Sequence, residues 1–151
     1  PLERLAGVIN SLDKSLYSDI AICGSAYDHE HMQRFKALLN AEVDAQLIQT
    51  KSILEVIPLI GSSAAVLTMD SAPAHIAICC GTPSVSILAG GQYGHFAPYG
   101  DPDNNVWLSH RTECYGCNWK CPYTEAHCIT QLDDQCIHGT LTGLLSNTAR
   151  K

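Results

Sequence analysis

One segment of the chain combines a carboxylate, a hydroxyl and an imidazole at a predicted helix start. Asp70 and Ser71 follow an apolar run. Pro73 lies two residues after Ser71, and His75 lies within the first turn of the predicted helix. Proline favours the first turn of a helix, so the pattern places Asp70 and Ser71 at a helix start. Backbone N–H groups at a helix start attract anions, and a hydroxyl and an imidazole can donate to the same anion. The segment can therefore bind a diphosphate without lysine or arginine; the alternative is a simple helix cap beside a half-buried histidine.

A second candidate is the acidic residue that follows the first predicted strand. Asp28 comes shortly after the apolar run Asp19–Cys23 and its Gly24, with Glu30 as the alternative position. A carboxylate in this loop suits the paired hydroxyls of a ribose. The competing interpretation is that Asp28 only caps the helix that follows.

A third candidate is the glycine-dense loop that contains Gly90, Gly91 and His95. Glycines allow positive φ angles and close approach of the backbone to a ligand. We therefore expect this loop to face a ligand cleft, and the alternative is an ordinary surface loop.

The chain has eight cysteines, and five of them fall between Cys114 and Cys136. A Cys-x2-Cys pair allows two thiolates to bind one metal ion from a single turn. We expect a structural zinc or iron site, for which Cys136 could replace one ligand; its predicted ligands are Cys114, Cys117, Cys121 and Cys128. Disulfides, free thiols without metal and an iron–sulfur cluster are the alternatives. The remaining cysteines, Cys23, Cys79 and Cys80, are expected to be small buried hydrophobes.

Short apolar runs alternate with stretches of helical periodicity along the chain. The predicted strands are 19–23, 45–49, 64–69, 84–88 and 105–110, and the predicted helices are 2–12, 28–39, 52–60, 74–80 and 133–145. Continuously apolar strands separated by helices indicate an α/β fold, a Rossmann-like parallel sheet with helices on both faces. Ligands of such sheets bind beyond the carboxyl ends of the strands, where the three candidate loops lie.

Composition and charge restrict the class of partner. Nine Lys and Arg against fifteen Asp and Glu give a net charge of −6, which argues against a surface that tracks nucleic acid. The longest apolar run is far shorter than the roughly 20 residues that cross a bilayer, and no basic segment precedes an apolar one at the N-terminus. We expect a cytoplasmic protein.

The sequence resembles glycosyltransferase family 9, the ADP-heptose lipopolysaccharide heptosyltransferases of bacteria. The likeness lies in the strand–Asp70–Ser71–x-x-x–His75–helix pattern, continued by the segment 77–91 that ends in Gly90-Gly91. The helix 52–60, the Pro98-Tyr-Gly loop and the segment Cys114–Cys117 are also similar. The family usually has glycine where this chain has Ala72.

The resemblance implies one half of a GT-B fold, with the active site between two Rossmann-like domains. This chain would be the C-terminal half, in which Asp70, Ser71, Ala72 and His75 contact the nucleotide-sugar, with ADP-heptose as the expected donor. Residues 1–110 would form the donor-binding domain, and the Cys-rich segment and last helix, 111–151, would pack on it.

The chain begins with a helix where such a domain begins with a strand, so we expect that strand and an N-terminal acceptor-binding domain to precede Pro1. That domain would carry the catalytic base and any peripheral contact with the inner membrane, and the chain alone would be inactive. The alternative from a different class is a non-catalytic, metal-stapled Rossmann-like assembly module.

Overall fold

The computed structural model describes residues 1–148, apart from the side chain of Gln92, and consists of helices that alternate with parallel strands. The helices and strands, in chain order, are α1 (Leu2–Ser11), β1 (Ile20–Gly24), α2 (His29–Ala37), β2 (Ala45–Gln49), α3 (Ile53–Gly61), β3 (Val66–Met69), α4 (Ala72–Cys80), β4 (Ser84–Ile87), β5 (Asn105–Leu108), α5 (His127–Thr130) and α6 (Asp134–Thr148). The predicted α/β class with parallel strands is confirmed. Each predicted element is present with ends shifted by a few residues, and the short α5 in the Cys-rich segment was not predicted.

The strands form two parallel sheets within residues 1–148, where a single sheet was expected. One sheet pairs β1 with β2, and the other has the order β3–β4–β5. Hydrophobic packing joins them, because β2 and β4 contribute to one core cluster through residues such as Ala45, Val85 and Ile87. Apolar burial therefore joins the two groups of strands that a single sheet would have joined by hydrogen bonds.

The last helix belongs to the same core as the strands. Its buried face packs with α1 and the sheets, and the buried α6 residues are Ile137, Leu141, Leu144 and Leu145. Arg4 of α1 pairs with Asp134 at 2.6 Å and also donates to the carbonyls of Thr130 and Leu132. The boundary proposed near residue 110 stays a prediction, and residues 149–151 of the proposed second segment lie outside the described residues.

Strand β4 is buried along its whole length, and polar contacts fix its start. The buried Asn105 side chain donates to the Thr82 carbonyl and to the Ser84 hydroxyl, each at 3.0 Å. The Thr82 hydroxyl in turn donates to the carbonyl of Ile60 in α3 at 3.0 Å. Since a buried polar group without a partner is destabilising, these bonds hold β4, β5 and α3 in one arrangement.

The Cys-rich segment docks on the glycine pair that follows β4. The Gly116 amide donates to the Gly90 carbonyl at 2.8 Å, and the Asn118 amide donates to the Gly91 carbonyl at 2.9 Å. A Cβ atom on Gly90 would lie 2.4 Å from the Tyr115 ring, and one on Gly91 would lie 3.2 Å from the Trp119 amide nitrogen. The Tyr115 ring occupies the space of a side chain at position 90, and a Cβ at position 91 would be tighter against Trp119 than ordinary van der Waals contact, so both positions favour glycine.

No helix within residues 1–148 has both the length and the apolar character needed to cross a membrane.

We predict that Gly90→Ala lowers the free energy of unfolding by about 1–3 kcal/mol, because the new methyl group overlaps the Tyr115 ring. Urea denaturation measures the change. Gly139→Ala in α6 is the matched control, since a Cβ there meets nothing within 4 Å and alanine stabilises a helix interior.

The overlap itself is tested by combining Gly90→Ala with Tyr115→Ala. If Tyr115 is the obstacle, the alanine at position 90 adds little cost once the ring is removed. An equal cost in both backgrounds would contradict this packing.

Candidate functional site

The start of α4 forms an open corner at the carboxyl end of β3. The Asp70 amide donates to the Ile87 carbonyl at 2.9 Å, so the chain leaves β3 still bonded to β4. Ser71 then adopts an extended conformation, with φ −158° and ψ 177°, as the N-cap residue of α4. Ser71 and Ala72 are exposed and Asp70 is half-buried. The helix start is therefore not covered by other described residues.

The backbone at this corner has an amide N–H that can donate a hydrogen bond to a ligand. Ala72 is the first residue of α4, so its amide has no acceptor within the helix, and Pro73 carries no N–H. The Ala74 amide is engaged, because it donates to the Ser71 carbonyl at 3.0 Å. In the described part of the chain the Ser71 hydroxyl does not cap the helix; it donates to the Met69 carbonyl at 3.2 Å. The open amide and the positive end of the helix dipole favour an anion at this point.

His75 reaches the same corner from the first turn of α4 and is held by two aromatic residues. Its Nδ1 atom lies 2.6 Å from the Tyr99 hydroxyl, and the two rings are stacked with centroids 5.6 Å apart and an interplanar angle of 15°. The Trp107 ring lies 6.0 Å from His75 and 6.0 Å from Tyr99. We call His75, Tyr99 and Trp107 the aromatic cluster. The predicted half-buried histidine thus has a defined environment.

The protonation of Tyr99 is affected by this environment. Tyr99 is 44% exposed, but its hydroxyl is the end of the side chain that faces His75. Desolvation by burial raises the pKa of Tyr99, and the nearby Cys79 adds a smaller increase. Tyr99 therefore stays protonated over the neutral pH range.

Asp28 lies in the turn between β1 and α2, where it takes part in a capping box. Its Oδ2 atom accepts hydrogen bonds from the Ser25 amide at 2.8 Å and from the Ser25 hydroxyl at 2.6 Å. These bonds lower the pKa of Asp28, the side-chain bond contributing most. Glu30, the alternative carboxylate, is exposed in the first turn of α2. The structural role proposed for Asp28 is thus present, and its contact with a ribose stays a prediction.

The glycine-dense loop has two parts with different environments. Gly90 and Gly91 are buried beneath the Cys-rich segment, which gives a reason for both glycines other than contact with a ligand. His95 is exposed in a turn closed by the Gly94 amide, which donates to the Ala97 carbonyl at 2.7 Å. Of the predicted residues in this loop, only His95 presents a side chain to the surface.

A groove beyond the carboxyl end of β5 lies next to the aromatic cluster. It has a volume of about 330 Å³, and its lining residues are Tyr93, Trp107, Ser109, Arg111 and Tyr115. The Ser109 hydroxyl is buried without a hydrogen-bond partner among the described residues. The sequence did not single out Trp107, Ser109 or Arg111, although their place in or directly after the last predicted strand was a usable signal.

The cysteines do not form the expected metal site. Within residues 1–148, no three or more His, Cys, Asp and Glu side chains come together in a group that could hold a metal ion. Two of the thiols make separate contacts. The Cys114 sulfur lies 3.3 Å from the Thr112 hydroxyl, and the Cys121 sulfur lies 4.0 Å from the Glu125 carbonyl. The prediction of zinc or iron is therefore not supported, whether the ligands are taken as Cys114, Cys117, Cys121 and Cys128 or include Cys136. The alternative function, a metal-stapled assembly module, is not favoured, because it depended on that metal site.

The prediction for the other three cysteines was wrong. Cys23, Cys79 and Cys80 are exposed free thiols. Cys23 points outward from β1, in which exposed and half-buried residues alternate, and Cys79 and Cys80 end α4 on its solvent side. Apolar neighbours in the sequence did not reveal this because both elements have an exposed face.

Comparison with known proteins gives two findings. The family model described as glycosyltransferase family 9 (heptosyltransferase) matches residues 1–127. The structure of the E. coli ADP-heptose LPS heptosyltransferase II superposes with a TM-score of 0.67 at 21% sequence identity and shares the fold. The match covers 97% of this chain and 42% of the E. coli chain. A search of curated proteins gives no significant match.

The family match extends over the β3–α4 corner, the aromatic cluster and most of the Cys-rich segment. Because it spans the larger part of the sequence, this chain belongs to glycosyltransferase family 9.

Proposed function

We propose that this chain is the donor-binding part of a glycosyltransferase and that it binds a nucleotide-sugar through the diphosphate. The observation that carries the proposal is the open start of α4, where the Ala72 amide lacks an acceptor within the helix and Ser71 is exposed. A diphosphate placed there meets the positive end of the helix dipole. Ser71 can turn its hydroxyl from the Met69 carbonyl to a phosphate oxygen, since a charged acceptor forms the stronger bond.

His75 would supply the second side-chain donor to the same diphosphate. Its Nδ1 atom is engaged with Tyr99, so Nε2 is the nitrogen left for a ligand. Asp28, beyond the carboxyl end of β1, would bind the ribose hydroxyls with the carboxylate oxygen that the capping box does not use. Asp70 would lie near the sugar or the amides of its own turn.

In the reaction, an acceptor hydroxyl oxygen forms a bond to the anomeric carbon of the sugar. The bond from that carbon to the diphosphate breaks, the hydroxyl proton passes to a carboxylate base, and the nucleoside diphosphate leaves with the bonding electrons. The contribution of this chain is to stabilise the charge that develops on the departing diphosphate. The Ala72 amide, Ser71 and His75 act on that charge.

The expected donor is ADP-heptose, and the expected role is synthesis of lipopolysaccharide or another cell-envelope glycan in the bacterial cytoplasm. Family membership supports this proposal, as does the name of the E. coli protein that shares the fold. That protein is longer than this chain, which spans 42% of it. We place the acceptor site and the catalytic base in an additional N-terminal domain that completes a GT-B enzyme.

We predict that Ser71→Ala and His75→Ala each weaken ADP binding about tenfold, because a hydrogen bond to a charged group contributes roughly 1.5 kcal/mol or more. Isothermal titration calorimetry with the 151-residue chain measures the affinity. Ser62→Ala at the end of α3 and His138→Ala in α6 are the matched controls, and neither changes the affinity. Absence of ADP binding by the unaltered chain would sink the donor-binding proposal and favour an assembly role.

We predict that Asp28→Asn reduces the preference of the chain for ADP over its 2′,3′-dideoxy analogue, because the carboxylate is the proposed partner of both ribose hydroxyls. The two affinities are compared by competitive titration, with Glu30→Gln as the control. An unchanged preference in Asp28→Asn would leave Asp28 with its capping role alone.

The capping role of Asp28 has its own pH dependence. Because the capping bonds depress its folded-state pKa, Asp28 stabilises the folded chain above the unfolded pKa, and this contribution is lost as pH falls through the folded value. Asp28→Asn should therefore be less stable than the unaltered chain at neutral pH, and the difference should shrink in acid. Thermal unfolding monitored by circular dichroism across this pH range checks the sign, and a difference that grows in acid would contradict it.

A further inference from the structure

Tyr99 is the residue outside α4 that makes the shortest side-chain contact with His75, at 2.6 Å between the hydroxyl oxygen and Nδ1. We propose that Tyr99, anchored by Trp107, is a positioning residue that holds His75 as the Nε2–H tautomer with that N–H available to the donor diphosphate. The inference rests on the proposed function for its ligand, but the arrangement of the two side chains can be tested without one.

Two contacts of different kinds fix the imidazole. The hydrogen bond to Nδ1 sets the rotation of the ring about its attachment, and the stacked Tyr99 ring, at an interplanar angle of 15°, sets its plane. Since a histidine side chain has two rotatable bonds, these two constraints leave one orientation. The Nε2 atom is separated from Nδ1 by Cε1, and its N–H direction diverges from the direction of the bond to Tyr99.

The direction of the hydrogen bond is part of the proposal, because the contact itself fits either tautomer of His75. A neutral imidazole has one N–H and one acceptor nitrogen, and a phenol can act as donor or acceptor. Burial raises the pKa of Tyr99, so its hydroxyl keeps its proton at neutral pH and can donate it to Nδ1. When Nδ1 accepts, the imidazole proton must be on Nε2.

This tautomer is the one that a diphosphate requires. Phosphate oxygens accept hydrogen bonds, so an unprotonated Nε2 would face them with a lone pair and repel them. An Nε2–H group instead donates to them while Nδ1 remains bonded to Tyr99.

Trp107 connects this arrangement to the sheet. Its indole N–H donates to the Tyr99 carbonyl at 2.8 Å, and Trp107 is part of β5. The position of Tyr99 is thus set by the same parallel sheet that presents the start of α4. The same sheet therefore aligns His75 and Tyr99, although the two residues lie 24 positions apart in the sequence.

The first experiment reads the tautomer directly. Long-range ¹H–¹⁵N correlation spectra of the 151-residue chain with ¹⁵N-labelled histidine show which imidazole nitrogen carries the proton, and His75→Gln identifies the His75 signals. At neutral pH and without nucleotide we expect a protonated Nε2 and an unprotonated Nδ1 that shifts in Tyr99→Phe. A protonated Nδ1 in the unaltered chain, or no shift in Tyr99→Phe, overturns the proposal.

The second experiment separates positioning from a merely structural role. We expect Tyr99→Phe to weaken ADP binding about fivefold, in line with the loss of one hydrogen bond of about 1 kcal/mol, and to have no further effect when His75 is already alanine. An equal loss in both backgrounds would show that Tyr99 acts other than through His75 and overturns the proposal.

Tyr123→Phe is the matched control, because Tyr123 stacks on His127 with ring centroids 4.1 Å apart, away from α4. It should change neither the His75 signals nor the affinity for ADP. If the unaltered chain does not bind ADP, the proposed function fails, whereas the nitrogen shifts still decide whether Tyr99 sets the tautomer.

Discussion

The arrangement of the site depends on the parallel hydrogen-bond register of β3, β4 and β5. Met69 lies beside Ile87, and Ile87 beside Leu108, so the three strands end at one level. The ladder continues one step further, through the Asp70 amide to the Ile87 carbonyl and the Leu88 amide to the Leu108 carbonyl at 2.8 Å. Because these bonds fix where each strand stops, the start of α4 and the Trp107 side chain come to the same edge.

The residues around this edge have two different roles, since some support the fold and others are exposed. The buried Gly90–Gly91 pair accepts the Cys-rich segment, and Tyr115 and Trp119 occupy the space that other residues would need. The Cys-rich segment thus contacts the glycine pair through packing and two backbone hydrogen bonds, without a metal cluster among residues 1–148. Ser71, Ala72 and His95, in contrast, are exposed.

Local sequence patterns were sufficient to predict the strands, the helices other than α5 and the β3–α4 corner. They did not predict contacts between residues that are distant in the sequence. The alternation of apolar strands and helices, and the Ser71–Pro73 signal, depend on neighbours in sequence, and they predicted β3 and α4 closely. The bond between His75 and Tyr99 spans 24 residues, and no periodicity marks it. For the same reason the sequence did not reveal that Gly90 and Gly91 leave room for Tyr115 and Trp119, and the contact of the two glycines with a ligand stays a prediction.

The cysteines illustrate a second limit. The spacing of cysteines in the sequence indicates which thiolates one turn could present to a metal ion. A metal site also requires the remaining ligands to converge from other parts of the fold. Cys128 belongs to α5 and Cys136 to α6, and within residues 1–148 neither joins a group of three or more potential metal ligands. The family resemblance, by contrast, rested on an ordered series of residues along most of the chain, and the family match over residues 1–127 confirmed it.

Amide ¹H–¹⁵N spectra recorded during an ADP titration test most directly whether the open start of α4 binds the diphosphate. We expect the Ser71 and Ala72 amides to be among the signals that move most, and pyrophosphate to move the same signals. Shifts confined to the groove residues Ser109 and Arg111, with the start of α4 unaffected, would contradict it.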